Sequence, residues 1–407
     1  MKHLFWGLGL LFWTLPVFGQ SVVKSMANLP DTGQTSSYTT TFGEDHDYTF
    51  FPPSYRDNNN GTISDMVTTL MWQQSDGGEM TFEQATAYCE VLALGGLSDW
   101  RLPTPAEAFS IFNHQNPNPA VNTTFFAKTD AEYWWTSQKQ INDANKVWVT
   151  NGGGGIGNHA KNETVSAGGT KKFHARCVRD VQSPSNLPAR FVEHGNGTIT
   201  DLLTGLMWQK TPSTVAKTWE DALVYAESLV LADAGDWRLP NIKELRSISD
   251  ESFINPSVPP VLSNLGVKKY WSSTSLPNQT TRAWYWNTQF GITTYELKTA
   301  ELFVIAVRNA QQTTANETHT PSSHPFEVQV FPNPARQKVT LRFPPSTHTS
   351  SKTVQLTNLL GQQVFQTCLE SSVQDYQIPL HAFAAGLYLL RVTQKDFAHS
   401  QLIVLQK

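Results

Sequence analysis

Cysteine, histidine and lysine are the side chains of this 407-residue sequence with chemistry to offer, and their spacing limits what that chemistry is. Cys89, Cys177 and Cys368 lie far apart, so no Cys-x-x-Cys pair is set for zinc or for a redox couple. His114, His159, His174 and His194 are scattered, and there is no HExxH, no GxSxG and no phosphate loop. With no legible nucleophile and base, the expectation is a binding protein without cofactor or metal, not an enzyme. Lys171-Lys172 and Lys268-Lys269 are the lysine pairs that suit an anionic ligand. Tyr285 and Trp135 are the aromatic candidates to stack on a sugar or anchor a protein partner. The segment RDNNNGTISD at 56–65 carries oxygen ligands at calcium-loop-like spacing, but VEHGNGTITD lacks its first acid, and an Asn-Gly turn accounts for both.

These residues sit in a duplicated frame. DWRLP occurs at 99–103 and again at 236–240. Asn60-Gly61-Thr62-Ile63 returns as Asn196-Gly197-Thr198-Ile199, Leu70-Met71-Trp72-Gln73 as Leu206-Met207-Trp208-Gln209, and Asn118-Pro119 as Asn255-Pro256. Tyr133-Trp134 aligns with Tyr270-Trp271, which leaves Trp135 opposite Ser272, and Trp148 falls opposite Trp284. A period this long means two tandem globular units. Tyr285 and Trp135 are singled out because they differ between the copies, whereas shared residues serve the shared fold. Period-two alternation turns Tyr285 away from the core-facing Trp284.

Within each copy an Asn-Gly hairpin comes first. Helix one follows, capped at Thr81 with Gln84 or at Thr218 with Asp221; in TWEDALVYAESLVLA the apolar residues recur at helical spacing through Leu229 and Val230. DWRLP then leads into helix two, capped by Thr104 and Glu107 or Asn241 and Glu244. Trp100 and Leu102 are expected in the core, with Arg101 in an ion pair. Strand segments such as KVWVT and RAWYW close the unit, and the Gly-rich stretch 151–172 is expected to be a flexible loop. The order of elements predicts an α+β domain. Cys89 and Cys177 have Ala226 and Ala306 as counterparts, so both are missing together from the second copy, as a disulfide lost as a unit would leave them.

The expected boundaries are a signal peptide over 1–19, a flexible Ser/Thr-rich leader over 20–45, repeat 1 over 46–182, repeat 2 over 187–310, a polar linker over 311–324 and a β-rich tail over 325–407. A formal net charge of −4 gives no electrostatic footprint for nucleic acid. No stretch after the signal is long enough to span a membrane.

The ordered motifs NGTITDLLTGLMWQK, TWEDALVYAESL, GDWRLPNIKELRSISD and YWSSTS resemble the Lcl C-terminal domain family. RLPTPAEA is similar to a segment of formylglycine-generating enzymes, which implies two tandem C-type-lectin-like domains; a disulfide from helix one to the last strand is typical of that fold. Named members of the Lcl family bind sulfated glycans and support adhesion. The resemblance therefore implies an extracellular glycan or protein ligand. A structural surface protein without a ligand is the alternative, and a formylglycine-generating-type enzyme is disfavoured because that chemistry needs active-site cysteines. In the tail, Phe331-Pro332-Asn333-Pro334, Asn358-Leu359-Leu360-Gly361 and Gly386-Leu387-Tyr388 resemble a type IX secretion sorting domain of type A, which implies an immunoglobulin-like sandwich and recognition by the secretion machinery. The protein is expected to be secreted or displayed on the outer membrane of a Gram-negative bacterium.

Overall fold

The computed structural model describes residues 22–127, 129–166, 168–187, 189–310, 328–331, 335–343, 351–358, 363–384, 386–394 and 397–405. The expected signal peptide and the linker at 311–324 lie outside the described residues. The chain forms two compact units, Met1–Thr313 and Thr314–Lys407.

Each repeat opens on a four-stranded antiparallel sheet. In repeat 1 the strand order is Val178–Asp180, Leu70–Gln73, Thr62–Asp65, Tyr55–Asp57; in repeat 2 it is Val307–Asn309, Leu206–Gln209, Thr198–Asp201, Phe191–Glu193. The registers agree. Ile63 faces Trp72 as Ile199 faces Trp208, and the two tryptophans face Val178 and Val307. The hairpin turns are built alike: Asn60 and Asn196 each accept from the amide and hydroxyl of the threonine two residues on. Gly61 and Gly197 sit at φ 82° and 87°, where a side chain would be strained.

The four α-helices among the described residues are short: α1 Phe82–Val91, α2 Pro105–Ser110, α3 Trp219–Glu227 and α4 Ile242–Ser247. DWRLP docks the chain ahead of α2 and α4, and each letter has a partner. Asp99 and Asp236 pair with Arg179 and Arg308, both at 2.7 Å. Trp100, Leu102, Trp237 and Leu239 are buried. Arg101 bonds both oxygens of Glu107 at 2.7 and 2.9 Å, and Arg238 both oxygens of Glu244 at 2.6 Å. The carbonyls of Pro103 and Pro240 accept from Ser137 and Ser273. Because Glu107 and Glu244 also close the capping boxes, one carboxylate ties the pentapeptide to its helix.

The α+β, C-type-lectin-like expectation is overturned: 12% of the structure is helical and 38% lies in strands. Two segments account for much of the shift. The Gly-rich stretch expected to be a loose loop contains the strands Ile156–Ala160, Val165–Ser166 and Lys171–His174, and repeat 2 adds Ile292–Leu297. The glycines of 152–155 make a hairpin turn closed by Asn151, whose amide bonds the Gly155 carbonyl at 2.9 Å. In addition, the helical pattern of repeat 2 stops at Glu227; Val230, counted as part of its apolar stripe, is 75% exposed in the turn beyond.

These strands fuse the repeats. One eight-stranded sheet runs Lys269–Ser275, Arg282–Asn287, Ile292–Leu297, Ile156–Ala160, Asp143–Asn151, Ala131–Gln140, Lys171–His174, Val165–Ser166. Continuity between the repeats rests on Thr293 opposite Ile156, reinforced by the Ile156 amide donating to Thr293 Oγ1 at 3.1 Å. Ile156 pairs with Thr150 as Thr293 pairs with Trp286, so equivalent residues meet at the seam. Behind it, Trp148 and Trp284 share one core with residues of both repeats.

Residues 22–45 form a strap across both repeats, not the loose leader expected from their composition. Val22–Lys24 pairs with Ser185–Leu187. Asp45 Oδ2 accepts from Thr32 at 2.7 Å and from Thr274 of repeat 2 at 2.6 Å. Glu44 Oε1 accepts from Gln34 at 2.9 Å and from Ser275 at 2.6 Å. Burial, with the nearby Asp31 charge, pushes the Asp45 carboxyl well above the ordinary carboxylate range.

The C-terminal unit is all β. It has one sheet of Gln329–Phe331, Lys338–Arg342 and Asp375–Pro379, and another of Gln363–Leu369, Lys352–Asn358, Gly386–Gln394 and Phe397–Leu405. A single core including Val339, Leu341, Val354, Leu390 and Ile403 lies between them.

Candidate functional site

A cavity of about 330 Å³ opens where the strap, α2, α4 and the turn at Leu203-Thr204 converge. Its size falls within the range of small-molecule sites. Leu29 and Phe109 supply apolar wall, and Lys24, Arg190, Lys243 and Arg246 bring four cations against Asp250 and Glu251. Lys243 is buried, and its Nζ donates to the carbonyls of Asp31 and Ser110 at 2.8 and 2.7 Å, linking strap to α2. Burial pulls its ammonium down to about 8, against the opposing charges of Asp31, Asp65 and Asp45, so it remains charged at neutral pH. Arg246 pairs with Glu251 and lies 5.8 Å from the centre of the Trp148 ring, yet its buried Nε meets no acceptor among the described residues. Arg190 bonds Asp201 at 3.1 Å and the Ser247 carbonyl. At the corresponding α2 positions repeat 1 has Ala106 and Phe109.

A second polar cluster lies within repeat 1. Asp76 accepts from His174 Nδ1 at 2.8 Å, Thr129 at 2.6 Å and Trp134 Nε1 at 2.9 Å, with Arg176 at 3.6 Å. Burial alone would raise this carboxyl, but the His174 bond, the Arg176 charge and the two further donors hold it down at about 2. Arg176 also donates to the carbonyls of Gln73 and Gln74 at 3.1 and 2.5 Å.

The sequence candidates fall elsewhere. Tyr285 does turn to the opposite face from Trp284, but α3 covers that face; Tyr285 is only 7% exposed and packs edge-on against Trp271. Trp135 is fully buried, stacked on Phe173 at 4.9 Å, and donates to the Met80 carbonyl. Its true counterpart is Trp271, which donates to Lys217, because Thr136 and Ser272 make the same bond to Trp148 and Trp284. Trp135 is thus a shared core residue, and the alignment opposite Ser272 is one residue out. Lys172 is engaged by Asp130, while Lys171, Lys268 and Lys269 lie 5.9, 4.0 and 5.1 Å from the ring centres of Tyr133, Phe303 and Tyr285. The two lysine pairs sit on strands six steps apart in the shared sheet, roughly 29 Å at about 4.8 Å per strand, and form no joint cluster. Cys89 and Cys177 are disulfide-bonded. Within the 56–65 segment, Asp57 accepts from the Asn59 amide and Gln74, and Asp65 Oδ1 accepts from the amides of Val67 and Thr68. Among the described residues no group of three or more His, Cys, Asp or Glu could hold a metal ion. Motif spacing does not single out Lys243, Arg246, Asp76 or Arg176, although each stands where the other copy has an apolar residue or proline.

Two β-rich modules sharing one sheet make up the first unit, and a β-sandwich makes up the second. The Lcl C-terminal domain model matches residues 61–179 and 197–308, more than half of the chain, and the chain belongs to that family. The secretion system C-terminal sorting domain matches residues 329–406, which implies export to a secreted or cell-surface location and interaction with the secretion machinery. No curated protein matches the chain. Among solved structures, a DUF3244 family protein with an immunoglobulin-like β-sandwich from Bacteroides vulgatus is 18% identical, covering 19% of this chain and 84% of that one at a TM-score of 0.17. Dimeric latent PorU from Porphyromonas gingivalis is 17% identical, covering 31% of this chain and 12% of that one, also at 0.17. Neither likeness is close enough to carry an argument. Among the described residues no helix is long and apolar enough to cross a membrane.

Proposed function

We propose that this protein is a non-enzymatic binding protein, delivered by type IX secretion, that recognises an extracellular glycan or protein through its paired Lcl C-terminal domains without calcium. The observation that carries this reading is the cavity framed by the strap and both repeats, with cations and apolar wall converging on it. The sorting tail supports an extracellular setting. The buried His174–Asp76 pair supports packing over catalysis, because Thr129, Trp134 and Arg176 already satisfy Asp76 and the other histidine nitrogen faces Asp130 at 3.3 Å.

The test is binding of the full exported chain to arrays of glycans and extracellular proteins, with and without a calcium chelator. Saturable, chelator-resistant binding is expected. Absence of binding to either class would favour a structural surface role, and loss on chelation would overturn the calcium-free reading.

A further inference from the structure

We infer that the cleft between the repeats is a carboxylate site that takes the acid group of a small hydroxylated ligand of monosaccharide size, such as a hexuronate; this rests on the binding reading above. The strongest alternative is that its cations merely hold the joint together. Repeat 1 argues against that. At the α2 positions equivalent to Lys243 and Arg246 it has Ala106 and Phe109, so this backbone packs there without charge. Burying a cation costs on the order of several kcal/mol before pairing is counted, and apolar residues would do the structural task at less cost. The charges need another reason.

Their arrangement supplies it. Arg246 lines the cavity with a side chain only 2% exposed and pairs through Nη2 with Glu251. Lys243 gives two bonds to carbonyls, which leaves a third N–H on its ammonium. Lys24, also lining the cavity, is half-buried, with no ion pair among the described residues. Planar guanidinium and flanking ammonium groups suit a carboxylate. The hydroxyls of Ser25, Thr104 and Ser249 line the same space and suit a ligand rich in hydroxyl groups, while Leu29 and Phe109 offer surface to a ring face. A volume of 330 Å³ corresponds to about eleven waters at roughly 30 Å³ each, enough for one pyranose ring.

The experiment is calorimetry on the full chain with sodium glucuronate, glucose as the neutral counterpart, and N-acetylglycine as a carboxylate without sugar hydroxyls. Glucuronate should bind, glucose should not, and N-acetylglycine should bind more weakly than glucuronate. Lys24→Gln and Arg246→Gln should each weaken glucuronate by about ten-fold or more, the loss expected for one charge-assisted hydrogen bond. Lys24→Gln, half-exposed, should melt with the wild type, which separates lost binding from lost folding. Glucuronate failing to bind the wild type, or binding both variants equally well, overturns the site. N-acetylglycine matching glucuronate overturns the sugar assignment. Array binding that survives intact in Lys24→Gln would sink the cleft while leaving the proposed function standing.

Discussion

The interiors of the two repeats solve one packing problem in opposite ways. Where repeat 1 buries Asp76, Trp134, His174 and Arg176 as a hydrogen-bonded network, repeat 2 has Pro212, Tyr270, Phe303 and Ile305. Backbone bonds fix the equivalence: Gly77 to Ala175 matches Ser213 to Val304, and Trp134 lies beside His174 as Tyr270 lies beside Phe303. The same holds on the other side of the sheet. Repeat 1 combines the disulfide, Phe82, Val149 and Phe173; repeat 2 combines two alanines, Trp219, Tyr285 and Leu302. Larger residues on some positions are offset by smaller ones opposite, so the cores fill in both cases. A shared backbone therefore fixes volume and hydrogen-bond closure, but not whether the filling is polar or apolar.

The largest effect should come from breaking the polar network halfway. Asp76→Ala strands the buried Arg176 and should cost about 3–5 kcal/mol in urea denaturation. Adding His174→Phe and Arg176→Ile, which copies repeat 2, should recover much of that loss. A triple variant less stable than the single one would mean that the two interiors are not interchangeable.

Replacing Cys89 and Cys177 by alanine, the residues of repeat 2, should cost about 2–5 kcal/mol. Conversely, Ala226→Cys with Ala306→Cys should form a bridge, detectable in non-reduced peptide maps. Gln209 bonds the Ala306 amide as Gln73 bonds that of Cys177, so the backbones correspond there. Free thiols in the doubly substituted repeat 2 would refute this.

A smaller effect is expected from the volume exchange. Tyr285→Val should destabilise by about 1–3 kcal/mol, and Leu302→Phe in the same chain should restore part of it. Additive losses would show that the two positions do not compensate.

The last prediction concerns the seam, where His114 of repeat 1 meets Trp284 of repeat 2 at 5.3 Å between ring centres. Burial, with the Lys243 charge, lowers its pKa to about 3. The unfolded chain, near 6.5, therefore binds the extra proton first, and stability falls as pH drops below that value. Relative to His114→Gln, the wild type should lose at most about 1.4 kcal/mol per pH unit between 6.5 and 3. A constant difference across that window would rule out a buried neutral histidine.

How much of this was legible depended on where each element finds its stability. DWRLP and the caps were readable because they recur in both copies and their Arg–Glu and capping contacts lie within six residues. The Cys89–Cys177 bridge was readable for a different reason, because repeat 2 has alanine at both positions together. The strap was not, because Thr32, Gln34, Glu44 and Asp45 act through side-chain hydrogen bonds that leave no apolar period. Tyr133-Trp134-Trp135 against Tyr270-Trp271 can be aligned in two registers, and only the Thr136 and Ser272 bonds choose between them. Alternation correctly turned Tyr285 from Trp284, but it cannot tell that the second face of a sheet is also covered. The fused sheet was hidden in a glycine-rich stretch because a tight hairpin and a loose loop share that composition.

The seam at Ile156 and Thr293 has a further consequence. Equivalent residues meeting across a local two-fold is the geometry of a symmetric homodimer, in which any substitution is imposed on both faces at once. Joining the copies in one chain keeps that geometry and lifts the obligation. A lysine can then appear on α4 opposite an unchanged α2, and an arginine where its twin keeps phenylalanine. The seam thus behaves as a captured dimer whose halves were freed to become unlike, and a single asymmetric pocket can lie beside an axis that would otherwise demand two.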